Sequence, residues 1–167
     1  MAEDTRVIIG VSGSSGNAAA LCRAVAEAER RDSILVPVIA WTPPGGEAAY
    51  RTRPCPPLAR LWERAAAERL DAAVARAIGG YPAGLRVEPV VIRGEVGPAL
   101  LEIADRPDDL LVVGAGRRGR LSRILHSSVA RRCLARAACT VVAVPPSGSP
   151  ALRPVRVEAP RPASLAA

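Results

Sequence analysis

Five short apolar runs along the chain alternate with longer stretches in which apolar residues recur at helical spacing. The runs are rich in Val, Ile and Leu, which is typical of strands that are buried on both faces. They predict strands over Arg6–Val11, Ser33–Trp41, Leu85–Ile92, Leu110–Val113 and Thr140–Val144. Within the second strand Pro37 carries a cost, because proline has no N–H to donate to a ladder.

The stretches between the runs predict helices over Ala18–Arg31, Leu58–Ile78, Ala99–Ala104 and Leu121–Ala137. The second helix is the longest, and its apolar spacing predicts a buried face. That face consists of Leu58, Leu61, Ala65, Leu70, Val74 and Ile78. Thr42–Pro57 is rich in Pro and Gly and is predicted to be a loop.

Strands that alternate with helices indicate an α/β fold, with a parallel sheet covered by helices on both faces. In such sheets ligands bind beyond the carboxyl ends of the strands, where the strand order reverses. Two polar or glycine-rich loops are expected to meet there. They are Ser12–Asn17, after the first strand, and Gly114–Arg120, after the fourth.

All the basic residues of the chain are arginines, and they are unevenly placed. The formal net charge is +7, and nine arginines lie between Leu110 and Val157 with no acidic residue among them. This surplus favours an anionic partner for that face: a nucleotide, a nucleic acid or an acidic protein. Arginine also suits a solvated helix surface, so a surface that binds no anionic partner is the alternative interpretation.

The length of the chain, its apolar runs and its first residues limit the classes of protein to which it can belong. A chain of 167 residues is expected to form one domain with a full core. We find no run of about 18 or more apolar residues, so a membrane span is not expected. The first residues include acids where a signal peptide would carry bases. The sequence therefore predicts a cytoplasmic protein.

Catalytic and metal chemistry have little support in the sequence. The four cysteines form no Cys-x-x-Cys pair, and His126 is the single histidine. A zinc site needs Cys and His clustered at short spacing, so free thiols are expected. Asp105, Asp108 and Asp109 are predicted to form an exposed turn, and no Ser/His/Asp constellation is present. The protein is not expected to be an enzyme.

The segment Gly114-x-Gly116-x-x-Gly119 is literally the dinucleotide-binding fingerprint. That fingerprint belongs after the first strand of a βαβ unit, with an acidic residue about 20 positions further on. Here it follows the fourth strand, and no acid occurs before Glu158. The match is therefore a decoy, although a glycine-rich loop after a strand can still bind an anion.

From Arg6 to Pro145 the chain resembles the universal stress protein family. Three features that carry the resemblance are Val-Ile-Ile-Gly-Val-Ser-Gly-Ser, the strand Ile-Leu-Val-Pro-Val-Ile-Ala-Trp and Arg-Gly-Glu-Val-Gly-Pro-Ala-Leu-Leu. The fourth is Leu-Leu-Val-Val-Gly-Ala-Gly-Arg-Arg-Gly, followed later by Ser-Ser-Val-Ala-Arg and Cys-Thr-Val-Val-Ala-Val-Pro. The resemblance implies a Rossmann-like, adenine nucleotide alpha hydrolase-like domain over residues 1–145. It also implies a five-stranded parallel sheet of order 3-2-1-4-5. Residues 146–167 lack apolar periodicity and are predicted to be a Pro/Ala-rich disordered tail.

One subclass of that family binds ATP or AMP through the pattern Gly-x2-Gly-x9-Gly-Ser/Thr. In this chain Gly114 and Ser128 keep the pattern, while Arg117 and Ser127 stand where two glycines are expected. The acid that the family carries at the end of the first strand is replaced by Ser12. The nucleotide-binding residues implied by the resemblance are Gly10, Val11, Ser12, Val38, Gly114, Gly116, Arg117, Ser127, Ser128 and Val129.

Three functions follow as hypotheses. The leading one is a non-catalytic stress-response or signalling protein with a degenerate nucleotide pocket and no required cofactor. The second is a switch that binds ATP or AMP with magnesium, in which Arg117 grips a phosphate directly. The third is an Arg-rich face that binds nucleic acid or an acidic partner. In each case the resemblance implies a homodimer paired through Thr140–Val144, which would cover an apolar edge strand.

Overall fold

The computed structural model describes residues 4–12, 18–114, 129–145 and 155–157, and its elements follow the predicted alternation. The strands are β1 Arg6–Gly10, β2 Ile34–Trp41, β3 Val90–Arg93, β4 Leu110–Gly114, β5 Thr140–Val144 and β6 Val155–Val157. The helices are α1 Ala18–Arg31, α2 Gly46–Thr52, α3 Pro56–Ile78, α4 Val96–Ile103 and α5 Val129–Arg136.

The strands form one sheet in the order β3-β2-β1-β4-β5-β6. The first five are parallel, which confirms the predicted fold class and the predicted order 3-2-1-4-5. β1 lies in the middle of the sheet, and Val7, Ile8 and Ile9 are 0% exposed. An all-apolar strand of this kind is stable only where helices cover both faces of the sheet.

Alternate residues of each strand feed two separate cores. Val7 and Ile9 pack with Leu21 of α1 and Leu70 of α3 on one face. Ile8 packs on the other face, against α4 and α5. This division follows from the two-residue period of a strand, in which successive side chains point to opposite faces.

The predicted buried face of α3 is correct toward its carboxyl end and wrong toward its amino end. Leu70 and Val74 are buried, but Leu58 is 43% exposed and Leu61 is 57% exposed. A helix of 23 residues is about 35 Å long, whereas the two strands that it covers are shorter, because β2 has eight residues and β3 has four. The first turns of α3 have correspondingly less sheet to cover. The predicted loop Thr42–Pro57 also contains a helix, α2.

The tail contains a strand that the sequence did not predict. β6 pairs antiparallel with β5, and the register places Val141 opposite Val157 and Ala143 opposite Val155. The prediction of a disordered tail over residues 146–167 did not include this strand, because the outer edge of β5 supplies pairing groups that a local pattern cannot reveal. β5 is therefore paired on both sides, with β4 and with β6, and is not the open edge strand that the sequence predicted.

Candidate functional site

The carboxyl ends of β1 and β4 lie side by side where the strand order reverses. β1 pairs with β2 on one side and with β4 on the other. Ile9 pairs with Val112, so Gly10 and Val113 continue from adjacent strands toward the same edge. The connections on the two sides of this point run to opposite faces of the sheet, which leaves a crevice in which α/β proteins bind ligands.

Three of the predicted site residues, Gly10, Val11 and Val38, meet at this edge. Gly10 pairs with Val38, and the Val11 N–H donates to the Val38 carbonyl oxygen at 2.7 Å. The Val38 side chain is buried in the core on the α4 and α5 face. Any contact from Val38 to a ligand therefore has to come from its backbone, whose carbonyl oxygen already accepts one hydrogen bond.

Glycine is required at position 10 by the helix that packs on this edge. A Cβ at Gly10 would lie 2.7 Å from Cδ1 of Leu100, and Leu100 on α4 is 1% exposed. The absence of a side chain at Gly10 thus lets α4 pack closely against the end of β1. The packing of Leu100 on Gly10 therefore helps to determine the shape of the crevice.

Where the strands begin, at the end of the sheet away from the crevice, Arg6 and Asp109 form a partly buried ion pair. The Arg6 guanidinium donates to both carboxylate oxygens of Asp109, at 2.9 and 2.6 Å, and to Asp105 at 2.8 Å. The hydrogen bond with Asp109 raises the pKa of Arg6 above its usual value. Asp109 is 1% exposed, so the prediction of an exposed turn is wrong for this residue. The pair ties the start of β1 to the start of β4, far from the crevice.

An aromatic cluster that the sequence did not single out lies past the end of β2. The ring centroids of Trp41 and Trp62 are 6.5 Å apart, and those of Tyr50 and Trp62 are 6.0 Å apart. The Arg93 guanidinium lies 4.3 Å from the Tyr50 centroid and 5.5 Å from the Trp41 centroid. Glu47 accepts two hydrogen bonds from Arg93, each 2.8 Å long.

The composition held a signal for this cluster. The chain has two tryptophans, two tyrosines and no phenylalanine, and three of these four rings gather here. Aromatic side chains bury large areas and dominate the energetics of cores and interfaces, so a cluster of most of the rings of a chain is a candidate packing or binding site. Only the fold shows that β2, α2 and α3 bring them together, because Trp41 and Trp62 belong to different elements.

The family model described as the universal stress protein family matches residues 5–145. The chain belongs to the universal stress protein family. This confirms the resemblance that the order of the elements and the sequence motifs indicated. Comparison with curated protein sequences gives no match to this chain.

Solved structures of universal stress proteins share the fold of this universal stress protein. One was solved in complex with cAMP; it is 28% identical, with 84% of this chain and 96% of that chain covered and a TM-score of 0.53. A second, from Archaeoglobus fulgidus, is 25% identical, with coverage of 84% and 98% and a TM-score of 0.59. The universal stress protein UspA from Lactobacillus plantarum is 21% identical, with coverage of 86% and 99% and a TM-score of 0.60.

The remaining predicted site residues fall into two groups. Ser12 is exposed just beyond β1, Gly114 ends β4, and Val129 is the first described residue of α5. Gly116, Arg117, Ser127 and Ser128 lie outside the described residues, as does His126. The structure therefore brings together the β1 and β2 portion of the predicted site, with Gly114 on the next strand.

Within residues 4–12, 18–114 and 129–145, no group of three or more His, Cys, Asp or Glu side chains is arranged to hold a metal ion. No helix among the described residues is long and apolar enough to span a bilayer.

Proposed function

We propose that this universal stress protein is a non-catalytic stress-response or signalling protein of the cytoplasm with a degenerate adenine-nucleotide pocket and no required cofactor. The observation that carries the proposal is the meeting of Gly10, Val11 and Val38 with the end of β4 at the switch point of the sheet. None of the described residues of the predicted site carries a carboxylate or an imidazole, the groups that general acid–base chemistry uses most. The four free cysteines suit a reducing compartment.

The predicted pocket lacks several of the groups with which the family binds a nucleotide. Ser12 supplies a hydroxyl but no charge where the family carries an acid. At Arg117 and Ser127 a side chain takes the place of a glycine, and glycine allows the closest approach of a backbone to phosphate. Each change removes part of the recognition of a nucleotide, and together they favour weak binding or none.

An adenine nucleotide is the ligand class to test. The similar universal stress protein in complex with cAMP supports this choice, as does the crevice at the carboxyl edge. Calorimetric titration with cAMP, AMP and ATP, with and without magnesium, tests the proposal directly. Weak or absent binding is expected. Tight, magnesium-dependent ATP binding that Gly114→Val abolishes and Gly84→Ala preserves would overturn the degenerate pocket. Gly84 is a suitable control because a Cβ there meets nothing within 4 Å.

The second candidate, an ATP-binding switch, makes a different claim about Arg117. A guanidinium can hold a phosphate through two parallel hydrogen bonds, and so could replace the lost glycines. In that case Arg117→Ala weakens ATP binding, while Arg86→Ala at the opposite edge leaves it unchanged. Equal affinity in Arg117→Ala and the parent chain rules this candidate out.

A basic face on α5 supports the third candidate. Arg131, Arg132 and Arg136 are exposed, and the structure gives none of them an ion pair within the described residues. Such a face suits an anionic polymer, whose binding falls steeply as salt rises because counterions are released. A gel-shift titration at low salt with DNA and RNA, repeated with all three arginines changed to Gln, tests it. No shift at low salt eliminates this candidate.

We also propose that the domain spans residues 1–145 and forms a homodimer through Thr140–Val144 in competition with the tail. β6 uses the edge of β5 that a second copy would need, over Val141–Ala143. The ladder is short, but the tail is covalently attached, which gives it a high effective concentration. A second copy can therefore pair with β5 only after β6 has left.

Sedimentation of the full chain tests this competition. Two prolines in β6, Arg156→Pro with Val157→Pro, remove consecutive N–H groups, at least one of which faces β5. We expect dimers at lower protein concentration for this variant than for the parent chain. The control Arg161→Pro changes the tail outside β6 and should leave self-association unchanged. A β6 variant that remains monomeric throughout the micromolar range contradicts the proposed dimer.

A further inference from the structure

A cleft of about 460 Å³ lies between α3 and the segment that follows β2. Trp41, Thr42 and Pro44 form one wall, and the other is a face of α3. Along that face Trp62 is followed by alanines at helical spacing, Ala65 and Ala72, whose small side chains leave room above the helix. A space of this size and mainly apolar lining suits a small organic ligand. We call it the tryptophan cleft.

Trp41, which lines the tryptophan cleft, carries a buried polar group that lacks a partner in the described part of the chain. Trp41 is 6% exposed, and its indole N–H has no hydrogen-bond acceptor within the part of the chain that the structure describes. Buried N–H groups in native proteins almost always have an acceptor, since an unmet one is costly. The contacts of Trp41 with Trp62 and Arg93 involve its rings and leave the N–H unsatisfied.

The rim of the cleft adds two charged side chains of opposite sign. Arg69 is exposed, and its Nε donates to the Ala65 carbonyl oxygen at 3.2 Å, while its terminal nitrogens make no hydrogen bond within the described residues. Glu68 is exposed and has no ion pair in the described part of the chain. The cleft thus offers donors from Trp41 and Arg69, an acceptor from Glu68, and the ring of Trp62 as an apolar surface.

We propose that the tryptophan cleft binds a flat heteroaromatic ligand that carries both a hydrogen-bond acceptor and a donor on its edge. The ring stacks on Trp62, the acceptor takes the Trp41 N–H, and the donor meets Glu68. Flat ligands are favoured because offset stacking on an indole adds to simple burial of apolar area. Among the described residues of the proposed nucleotide site, none lines this cleft.

The two tryptophans of the chain both line the cleft, which makes their indole N–H signals a specific probe. Two-dimensional ¹H–¹⁵N NMR resolves two such signals, and the variants Trp41→Phe and Trp62→Phe assign them. Nicotinamide is the probe, since it is a flat heteroaromatic ring with an amide donor and acceptor. We expect a saturable downfield shift of the Trp41 signal. Cyclohexanecarboxamide, which has the same amide on a saturated ring, should bind about tenfold more weakly.

Matched glutamate variants test the role of the rim. Glu68→Gln should weaken nicotinamide binding several-fold, while Glu63→Gln, an exposed change on the same helix outside the cleft, should not. The proposal is overturned if neither indole signal shows a saturable shift, if the Trp62 signal alone moves, or if cyclohexanecarboxamide binds as well as nicotinamide. Equal binding by the Glu68→Gln and Glu63→Gln variants removes Glu68 from the site and overturns the proposed donor–acceptor recognition.

Discussion

Pro37 of β2 lies opposite Pro89, at the residue just before β3. The bridge between Leu35 and Val87 and the pairing of Val38 with Val90 share one register, which places the two prolines side by side. Leu35 donates to the Arg86 carbonyl oxygen and accepts from the Glu88 N–H, each at 2.9 Å. In a parallel ladder the next donor toward β3 would be residue 37, and proline has none. The strand predicted over Leu85–Ile92 is therefore reduced to Val90–Arg93 plus one bridge.

Replacing Pro37 with Val should restore this ladder bond. The new N–H at position 37 is expected to donate to the Glu88 carbonyl oxygen and to exchange with solvent as slowly as its neighbours in β2. The gain of about 1 kcal/mol from the hydrogen bond is offset by a loss of about 0.4–1 kcal/mol from greater freedom of the unfolded chain. The free energy of unfolding should therefore change little. Hydrogen exchange measured by NMR checks the prediction, and rapid exchange at position 37 would contradict it.

The contact between Gly10 and Leu100 predicts a strong dependence on side-chain size. Gly10→Ala places a Cβ against Leu100 in a packed core and should lower the free energy of unfolding by about 1–3 kcal/mol. In the double variant with Leu100→Ala, the clash is relieved, so the two changes should cost less than the sum of the single variants. Denaturant unfolding of the four proteins measures this coupling, with Gly84→Ala as control. Strict additivity would show that the close approach carries no strain.

Much of the fold could be predicted because strand and helix periods are local properties. β5 has the predicted bounds, and β1, β2 and β4 differ from theirs by one residue. The face of α3 was harder, since Leu58 and Leu61 fit the helical period as well as Leu70 does. Which part of that stripe is buried depends on how far the sheet extends beneath the helix. β6 could not be predicted either, because its three residues owe their strand to the edge of β5.

The candidate site was predictable only as far as topology determines it. A glycine after β1 and another after β4 indicate a crevice, and the sheet order places Gly10 and Gly114 on adjacent strands. The buried side chain of Val38 and the packing of Leu100 on Gly10 depend on helix positions that no local pattern contains. The same holds for Trp41 and Trp62. Their ring centroids are 6.5 Å apart, although α2 lies between them along the chain.

The four free cysteines should divide into two reactivity classes. Cys22 is exposed and Cys55 is half-buried, whereas Cys133 is 0% exposed and Cys139 is 2% exposed. Burial raises the pKa of both the Cys133 and Cys139 thiols to about 11, so little thiolate is present near neutral pH. Because the thiolate is the nucleophile, a disulfide reagent at pH 8 should modify Cys22 and Cys55 first.

Mass spectrometry of the modified protein checks this order. Cys133 and Cys139 are expected to react only at the rate of unfolding, and guanidinium should make all four thiols equivalent. The variant Cys22→Ser serves as control, since it should remove one fast site and leave the slow pair unchanged. Rapid modification of Cys133 in the native protein would contradict the packing between α5 and the sheet.

Glu27 on α1 should make stability depend on pH in the acid range. Burial alone would raise the pKa of this carboxyl, but hydrogen bonds from Arg30 and from Arg23, the latter 2.6 Å long, outweigh burial and lower it. A carboxyl whose folded pKa lies below its unfolded value stabilises the protein above the unfolded pKa. This contribution is lost as the pH falls through the folded value.

The variant Glu27→Gln is therefore expected to be less stable than the parent at pH 7, by about 1 kcal/mol because both arginines are largely exposed. This difference should shrink once the pH falls below the pKa of about 4.3 of an unfolded Glu, as the carboxyl of the folded parent in turn becomes protonated. Thermal unfolding across pH 2–7 measures it, and Glu29→Gln, an exposed change two residues away, provides the control. A difference that is constant over the whole range would show that packing of the side chain, not its charge, accounts for the loss. In that case the arginine pairs of Glu27 contribute nothing to the stability of α1.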